Sequence, residues 1–110
     1  MPRVEIPIGA CTRAGTMMPD PVPGDVLSGH ALPNDGRVGL IVTNTSVDTV
    51  YNVTINLSRT VDGQTVMPRV EPVPFGEALA FGPFSPGDYG TSVAIDVAHE
   101  ALTLLAVRVA

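Results

Sequence analysis

Polar and apolar residues alternate along residues 50–61, which read V-Y-N-V-T-I-N-L-S-R-T-V. Between residues 51 and 57 the apolar residues take the odd positions, Tyr51, Val53, Ile55 and Leu57, and the even positions are polar. Because β side chains point alternately to the two faces of a strand, the pattern predicts a strand with one face in a core and the other in water. The Asp62-Gly63 pair that follows predicts a tight two-residue hairpin turn, with the next strand beginning near Gln64.

Apolar runs of this kind recur at intervals of roughly 8 to 12 residues, which predicts about seven strands. They comprise an edge strand through Val4, Ile6 and Ile8, residues 38–45, 50–61 and 65–73, a short strand through Leu79 and Phe81, and residues 91–97 and 102–109. Because proline cannot donate to a ladder, Pro68 and Pro72 predict that their run lies at a sheet edge or carries a bulge. No run is a candidate for a helix. The sequence therefore predicts an all-β, Ig-like antiparallel Greek-key β-sandwich with an extended N-terminal arm.

Residues 12–35 differ in composition from the rest of the chain, because prolines and glycines interrupt every candidate element. We therefore predict an extended Pro/Gly-rich arm and loop over residues 1–33 and a β-sandwich domain over residues 34–110. The arm is apolar enough to need a surface to lie against. It either packs over the open end of its own domain or reaches a neighbouring molecule.

The chain has 110 residues, with eleven carboxylates, six arginines and no lysine, which give a net charge of −5. Its length and its apolar content of 45% suit one domain with its own core. An acidic chain without basic clusters is a poor ligand for phosphate backbones, so we expect no nucleic-acid partner. No stretch reaches the length of a membrane span and the first residues do not resemble a signal peptide, so we expect synthesis in the cytoplasm and no membrane association.

The residues that most often carry chemistry do not form a recognisable site. Cys11 is the single cysteine, so an internal disulfide is excluded. His30 and His99 lie far apart in turn-rich segments without metal-ligand spacing, and we expect them at the surface or capping a turn. Each aspartate beside a glycine is explained by a turn, and no serine lies in a nucleophile elbow. We therefore expect no catalytic residue, no metal and no cofactor, and a protein that is not an enzyme.

Two irregular segments are candidates for partner binding. The candidate residues in the arm are Met17, Met18, Val22 and Leu27, and those in the run F-G-P-F-S-P-G-D-Y-G, residues 81–90, are Phe81, Phe84 and Tyr89. A structural role also explains the second run, since its phenylalanines can plug one end of the sandwich. Arg59 lies in the inward register of the central strand, and we expect it where the strand leaves the core, with its head paired to an acid.

The order and spacing of several short motifs resemble the small β-sandwich head-decoration (capsid cement) proteins of tailed bacteriophages and prophages of GC-rich bacteria. The motifs are N-D-G at residues 34–36 before a hydrophobic strand, R-T-V-D-G-Q at residues 59–64, F-G-P-F at residues 81–84, and Y-G at residues 89–90 before the penultimate strand. With the extended N-terminal stretch, the resemblance covers nearly the whole chain. It offers no catalytic residues to transfer.

The resemblance implies a structural virion protein on the capsid exterior, whose partners are the major capsid protein and further copies of itself in a trimer. Its contacts would come from residues 1–33 and from the loop of residues 81–89. The alternative is an Ig-like adhesion or carbohydrate-binding module of a virion fibre or tail. That role needs an aromatic platform on a sheet face, whereas the expected outward residues are mainly Asn, Thr and Ser.

Overall fold

A computed structural model describes residues 3–58 and 60–109 and shows two β-sheets packed against each other, which confirms the predicted all-β sandwich. In chain order its strands are β1 Val4–Glu5, β2 Ile8–Ala10, β3 Val22–Pro23, β4 His30–Pro33, β5 Val38–Asn44, β6 Tyr51–Ile55, β7 Thr60–Val61, β8 Gln64–Thr65, β9 Arg69–Val73, β10 Ala78–Phe81, β11 Ser92–Val97 and β12 Leu102–Arg108. One helical turn, α1, spans Pro86–Tyr89. The Greek-key and Ig-like details stay predictions.

The strands divide between two large sheets and one hairpin. Sheet A has the strand order β1-β4-β11-β6-β9, and sheet B has the order β10-β5-β12-β2 with β3 also paired to β12. β7 and β8 form a separate two-stranded hairpin. The longest pairing joins β5 to β12 in antiparallel register, with seven residues in each strand, and it forms the centre of sheet B.

The core lies between the two sheets and consists mainly of aliphatic side chains, as the alternating pattern predicts. Sheet B contributes Val38, Leu40, Val42, Leu102, Leu104 and Ala106, and sheet A contributes Leu32, Val53, Ile55, Val73, Val93, Ile95 and Val97. Each buried Val, Leu or Ile side chain stabilises the fold by about 1.5–3 kcal/mol relative to an exposed one. The core is therefore the main source of stability, and the paired strands fix its geometry.

The strand predicted over residues 50–61 is divided into two elements in the structure. β6 ends at Ile55, which pairs with Arg69, the first residue of β9. Pro68 precedes that residue and has no backbone N–H to extend the ladder, so the chain leaves sheet A there. β7 then pairs with β8 across the Asp62-Gly63 turn, whose φ angles of 51° and 73° confirm the predicted hairpin. Arg59 lies outside the described residues.

The predicted boundary between an arm at residues 1–33 and a sandwich at residues 34–110 is wrong. β1 pairs with β4 in sheet A, whereas β2 and β3 both pair with β12 in sheet B. β4 lies inside sheet A between β1 and β11, and Ile6 is a fully buried core residue. The part that matches the arm prediction is residues 11–21, where every residue except Pro19 is exposed and none lies in a strand. We call residues 11–21 the arm.

Two buried asparagines, Asn34 and Asn44, connect the ends of the sandwich. The Asn44 amide donates to the carbonyl oxygens of Thr49 and Val73 at 2.8 and 2.9 Å, and its Oδ1 accepts from the backbone N–H of Ser46. The Val73 contact joins β5 of sheet B to β9 of sheet A. Because Asn44 is fully buried and its bond to Val73 is buried as well, removing the amide leaves the Val73 carbonyl oxygen without a partner in a place that water does not reach.

We predict that Asn44→Ala lowers the free energy of unfolding by about 3 kcal/mol, because buried acceptors lose their donors and a small cavity forms. Asn52→Ala is the matched control, since Asn52 is exposed on β6 and its replacement is expected to cost less than about 0.5 kcal/mol. Urea unfolding followed by circular dichroism measures both. Equal stability of the two variants would contradict the role assigned to Asn44.

Candidate interaction surface

The outer faces of the two sheets differ in polarity. On sheet A the outward side chains include Asn52, Thr54 and Asp96, as expected for a sheet facing water. On sheet B the outward positions lie between the buried residues of β5 and β12 and along β10, and none of them is charged. We call these residues the sheet B outer face: Gly39, Ile41, Thr43, Ala78, Ala80, Thr103, Leu105 and Val107.

The sheet B outer face follows directly from strand register. Ile41 pairs with Leu105 and Gly39 pairs with Val107, so apolar outward residues lie side by side across β5 and β12. Ala80 pairs with Ile41 and continues the same row onto β10. This face carries no charge in a chain whose net charge is −5, and its Ile41, Leu105 and Val107 side chains are half-buried.

A groove of about 670 Å³ opens at one end of this face, between β5 and β10. It is lined by Gly36, Arg37, Val38, Gly39, Ala80, Phe81, Gly82, Pro83 and Val109. Gly39 leaves its middle open, because a Cβ atom there would have its nearest contact at 3.5 Å, the Phe81 carbonyl oxygen. Gly82 has a φ angle of 124°, which a residue with a side chain rarely adopts. Gly39 therefore leaves the space above the strands open, whereas a Cβ atom at Gly82 would lie 3.0 Å from the Val38 carbonyl oxygen, so glycine at this position lets the chain pass close to β5.

Arg37 supplies the one charge at this groove. Its side chain is exposed and makes no ion pair with any residue in the described ranges, whereas the guanidinium groups of Arg3, Arg69 and Arg108 lie 2.7 to 3.1 Å from carboxylate oxygens. Asp35 is engaged by Arg108 Nε and by the backbone N–H of Arg37. Among the described residues, the groove thus combines an apolar floor with a cation that has no carboxylate partner.

The arm lies along the β2 side of sheet B, at the other end of the strand order from β10. Gly9 pairs with Val107, so a side chain at Gly9 would point to the outer side, where it would meet Pro19 and Met18 at 3.0 to 3.4 Å. Met17 extends beyond this contact and is 92% exposed. Leu27, in the loop between β3 and β4, is 91% exposed.

The candidate partner residues of the sequence fall into two groups. Met17 and Leu27 are almost fully exposed and Met18 is about half exposed, so all three are available to a partner. Val22 is half-buried in β3 and packs against the core. The sequence did not single out the sheet B outer face, although the run L-T-L-L-A-V-R-V of β12 is too apolar for a strand that faces water on one side.

Phe84 is 1% exposed, so its prediction as a partner-binding residue is wrong. Its ring packs edge-on against Tyr89 with centroids 5.1 Å apart, and the Asn34 amide donates to the Phe84 carbonyl oxygen at 3.0 Å. Phe84 therefore closes the end of the sandwich, which is the structural role considered for this run. Phe81 and Tyr89 pack against the core and stay partly exposed, and their contact with a partner stays a prediction.

The two histidines occupy different environments. His30 is fully buried, contrary to the expected surface position: Asp25 donates its backbone N–H to Nε2 at 2.9 Å, and Nδ1 donates to the Val4 carbonyl oxygen at 3.2 Å. Burial lowers the pKa of His30 below its ordinary value of 6.5, opposed only in part by the Val4 carbonyl. His99 is exposed, stacks on Tyr51 at 4.4 Å, and caps a turn as expected.

An ion-pair network lies beside His30 on sheet A. The Arg3 guanidinium donates to Asp96 at 2.7 Å, and the Asn56 amide donates to the second Asp96 oxygen at 3.0 Å. Burial alone would raise the pKa of the Asp96 carboxyl, but these hydrogen bonds outweigh it and lower the pKa. Within the described part of the chain, no three His, Cys, Asp or Glu side chains converge as metal ligands, and no helix has the length and hydropathy of a membrane span.

We predict that stability falls on mild acidification because of His30. The folded-state pKa lies below the unfolded value of 6.5, so the unfolded chain binds the proton more readily. The contribution of His30 to the free energy of unfolding is therefore fully present above about pH 6.5 and declines as the pH falls through that value. Urea unfolding between about pH 8 and about pH 5.5 measures this, in a range where most carboxylates stay ionised.

His30→Asn is expected to flatten the pH dependence of stability, while the matched variant His99→Gln retains the slope of the natural protein. An unchanged slope in His30→Asn would show that another group is responsible.

No protein-family model matches the chain, and neither a curated protein nor a solved structure matches it. What the protein does is therefore inferred from its own surfaces, which are the sheet B outer face, the groove beside it and the exposed arm.

Proposed function

We propose that the chain is a structural protein that binds the outer surface of a bacteriophage capsid and reinforces the shell. The observation that carries the proposal is the exposed apolar character of the arm and of the loop before β4, where Met17 and Leu27 are 92% and 91% exposed. Burying one such side chain on a partner contributes about 1.5–3 kcal/mol. The sequence motifs that resemble capsid decoration proteins favour a capsid as that partner.

The proposed mode of binding is multivalent. A shell offers many identical sites, so contacts that are modest in one copy hold the protein when several copies act together. The major capsid protein is the proposed partner, and a trimer of the chain around a local threefold axis is the proposed assembly. The sheet B outer face supports such contacts, because two acidic copies approach each other at the lowest electrostatic cost through a face without charge.

The Ig-like Greek-key topology and the location on the virion exterior, after synthesis in the host cytoplasm, belong to the same proposal. A carbohydrate-binding module is the weaker alternative. Such modules stack sugars on exposed aromatic rings, and the outward residues of sheet A in the described part of the chain are residues such as Asn52, Thr54 and Asp96. No observation at this face favours sugar binding over capsid binding.

The structure defines how the arm must be tested. Removing residues 1–25 would delete β1, β2 and β3 together with the buried side chain of Ile6, so loss of binding would then reflect loss of folding. A single substitution at an exposed position avoids this difficulty, because surface changes away from special features usually alter stability by less than about 0.5 kcal/mol.

We predict that Met17→Asp weakens binding to expanded capsids by at least about tenfold, because a carboxylate replaces an apolar side chain that the partner buries. The matched control is Val47→Asp, which introduces the same charge at a position that is 88% exposed in the turn between β5 and β6. Co-sedimentation with capsids of the phage or prophage that encodes the chain measures both. Equal binding by the two variants would contradict the role of the arm, and failure of the unaltered protein to bind would contradict the proposed function.

A further inference from the structure

We propose that the groove between β5 and β10 binds an extended peptide segment that carries a carboxylate beside small apolar side chains. This inference goes beyond capsid binding and does not depend on it, because it concerns the chemistry of the groove with any protein partner. The proposed peptide places an apolar side chain over Gly39 and its carboxylate on Arg37.

The shape of the groove favours a peptide chain with side chains of limited size. Gly39 and Gly82 have no side chains, and Ala80 beside them has only a methyl group. Phe81, Pro83 and Val109 complete an apolar lining. The open volume of about 670 Å³ exceeds what one side chain fills and lies within the range of ordinary ligand sites.

The free edge of β10 favours an extended peptide over a compact ligand. β10 ends the strand order of sheet B, and within the described residues only β5 pairs with it. In an antiparallel edge strand, alternate residues direct their N–H and C=O groups away from the neighbouring strand. Ala80 and Phe81 of this strand also line the groove, so the edge next to them offers main-chain hydrogen bonds to an added strand.

Charge complementarity favours an acidic peptide. The Arg37 guanidinium has no carboxylate partner in residues 3–58 or 60–109, and Asp35 is already engaged by Arg108 and by a backbone N–H. A guanidinium binds a carboxylate through two parallel hydrogen bonds, which fixes the register of the bound segment. The net charge of −5 repels an acidic ligand at long range. At physiological salt this repulsion is screened beyond about 8 Å, so the attraction of the nearby Arg37 guanidinium dominates at the groove.

The test is a titration of the isotope-labelled full chain, monitored through its amide signals in NMR spectra. The titrant is a capped octapeptide of alternating valine and serine with one aspartate at its centre. We expect saturable shifts at residues 36–39, 80–83 and 109. The same peptide with asparagine in place of aspartate should bind about tenfold more weakly, since it loses the charge-assisted pair. Equal affinity of the two peptides, or shifts centred on sheet A, would overturn the proposal.

Two pairs of variants locate the site. Gly39→Leu fills the groove without a close contact and should abolish binding, whereas Gly87→Leu, at a glycine in α1 whose added Cβ would also have room, should bind normally. Arg37→Gln should weaken binding of the aspartate peptide by about tenfold, and Arg13→Gln, at another exposed arginine without a described partner, should not.

Binding that persists in Gly39→Leu would overturn the proposed location, and binding that is unaffected by Arg37→Gln would overturn the proposed recognition of a carboxylate. Since these measurements need no capsid, their failure is distinguishable from failure of the proposed function.

Discussion

The hydrogen bonds of the two buried asparagines, Asn34 and Asn44, hold the two ends of the sandwich together, and the positions of the strands depend on them. Asn34 and Asn44 lie at the two ends of the segment that contains β5, and each uses its amide in the same way: Oδ1 accepts the backbone N–H two residues later, and Nδ2 donates to two carbonyl oxygens. Because both side chains are buried, each polar group that lost its partner would destabilise the fold. Asn34 closes one end of the sandwich onto the Phe84 loop and Asn44 closes the other onto β9, so the strands between them can be almost purely apolar.

The edge strands β9 of sheet A and β10 of sheet B differ in how well they are protected against the addition of another strand. On β9, Arg69 and Glu71 lie opposite Ile55 and Val53, and their 2.8 Å ion pair places charge at the edge of sheet A. Such charges discourage another strand from adding to an edge. Sheet B has no equivalent on β10, whose four residues are all uncharged and whose last two, Ala80 and Phe81, line the groove. This difference supports the proposal that association takes place through sheet B, where the uncharged outer face also lies.

The sequence predicted the elements whose signal is local and failed where a residue's environment depends on distant partners. Alternation identified β5, β11 and β12 with their inward residues, and the Asp62-Gly63 turn needed only positive φ angles that such pairs provide. The single edge strand predicted through Val4, Ile6 and Ile8 is divided between β1 in sheet A and β2 in sheet B, because its two parts pair with different strands far away along the chain. β3 is too short to show a period. His30 resembles a turn residue because Gly29 precedes it, yet tertiary pairing buries it completely. The excess of apolar residues along β12 is the one local signal of the sheet B outer face, since alternation by itself identifies only the inward residues.

The fixed ends of the arm change how its exposed side chains act. Both flanking strands, β2 and β3, pair with β12, and the Asp25 bond to His30 anchors the loop that follows β3. A chain held at both ends has already lost much of the entropy that a free tail would lose on binding. Met17 is thus displayed from a fixed base, not carried on a tail that orders only on contact. For equal buried area, an arm fixed at both ends binds a partner more tightly than a free tail does. This difference supports the proposed contact between Met17 and a partner.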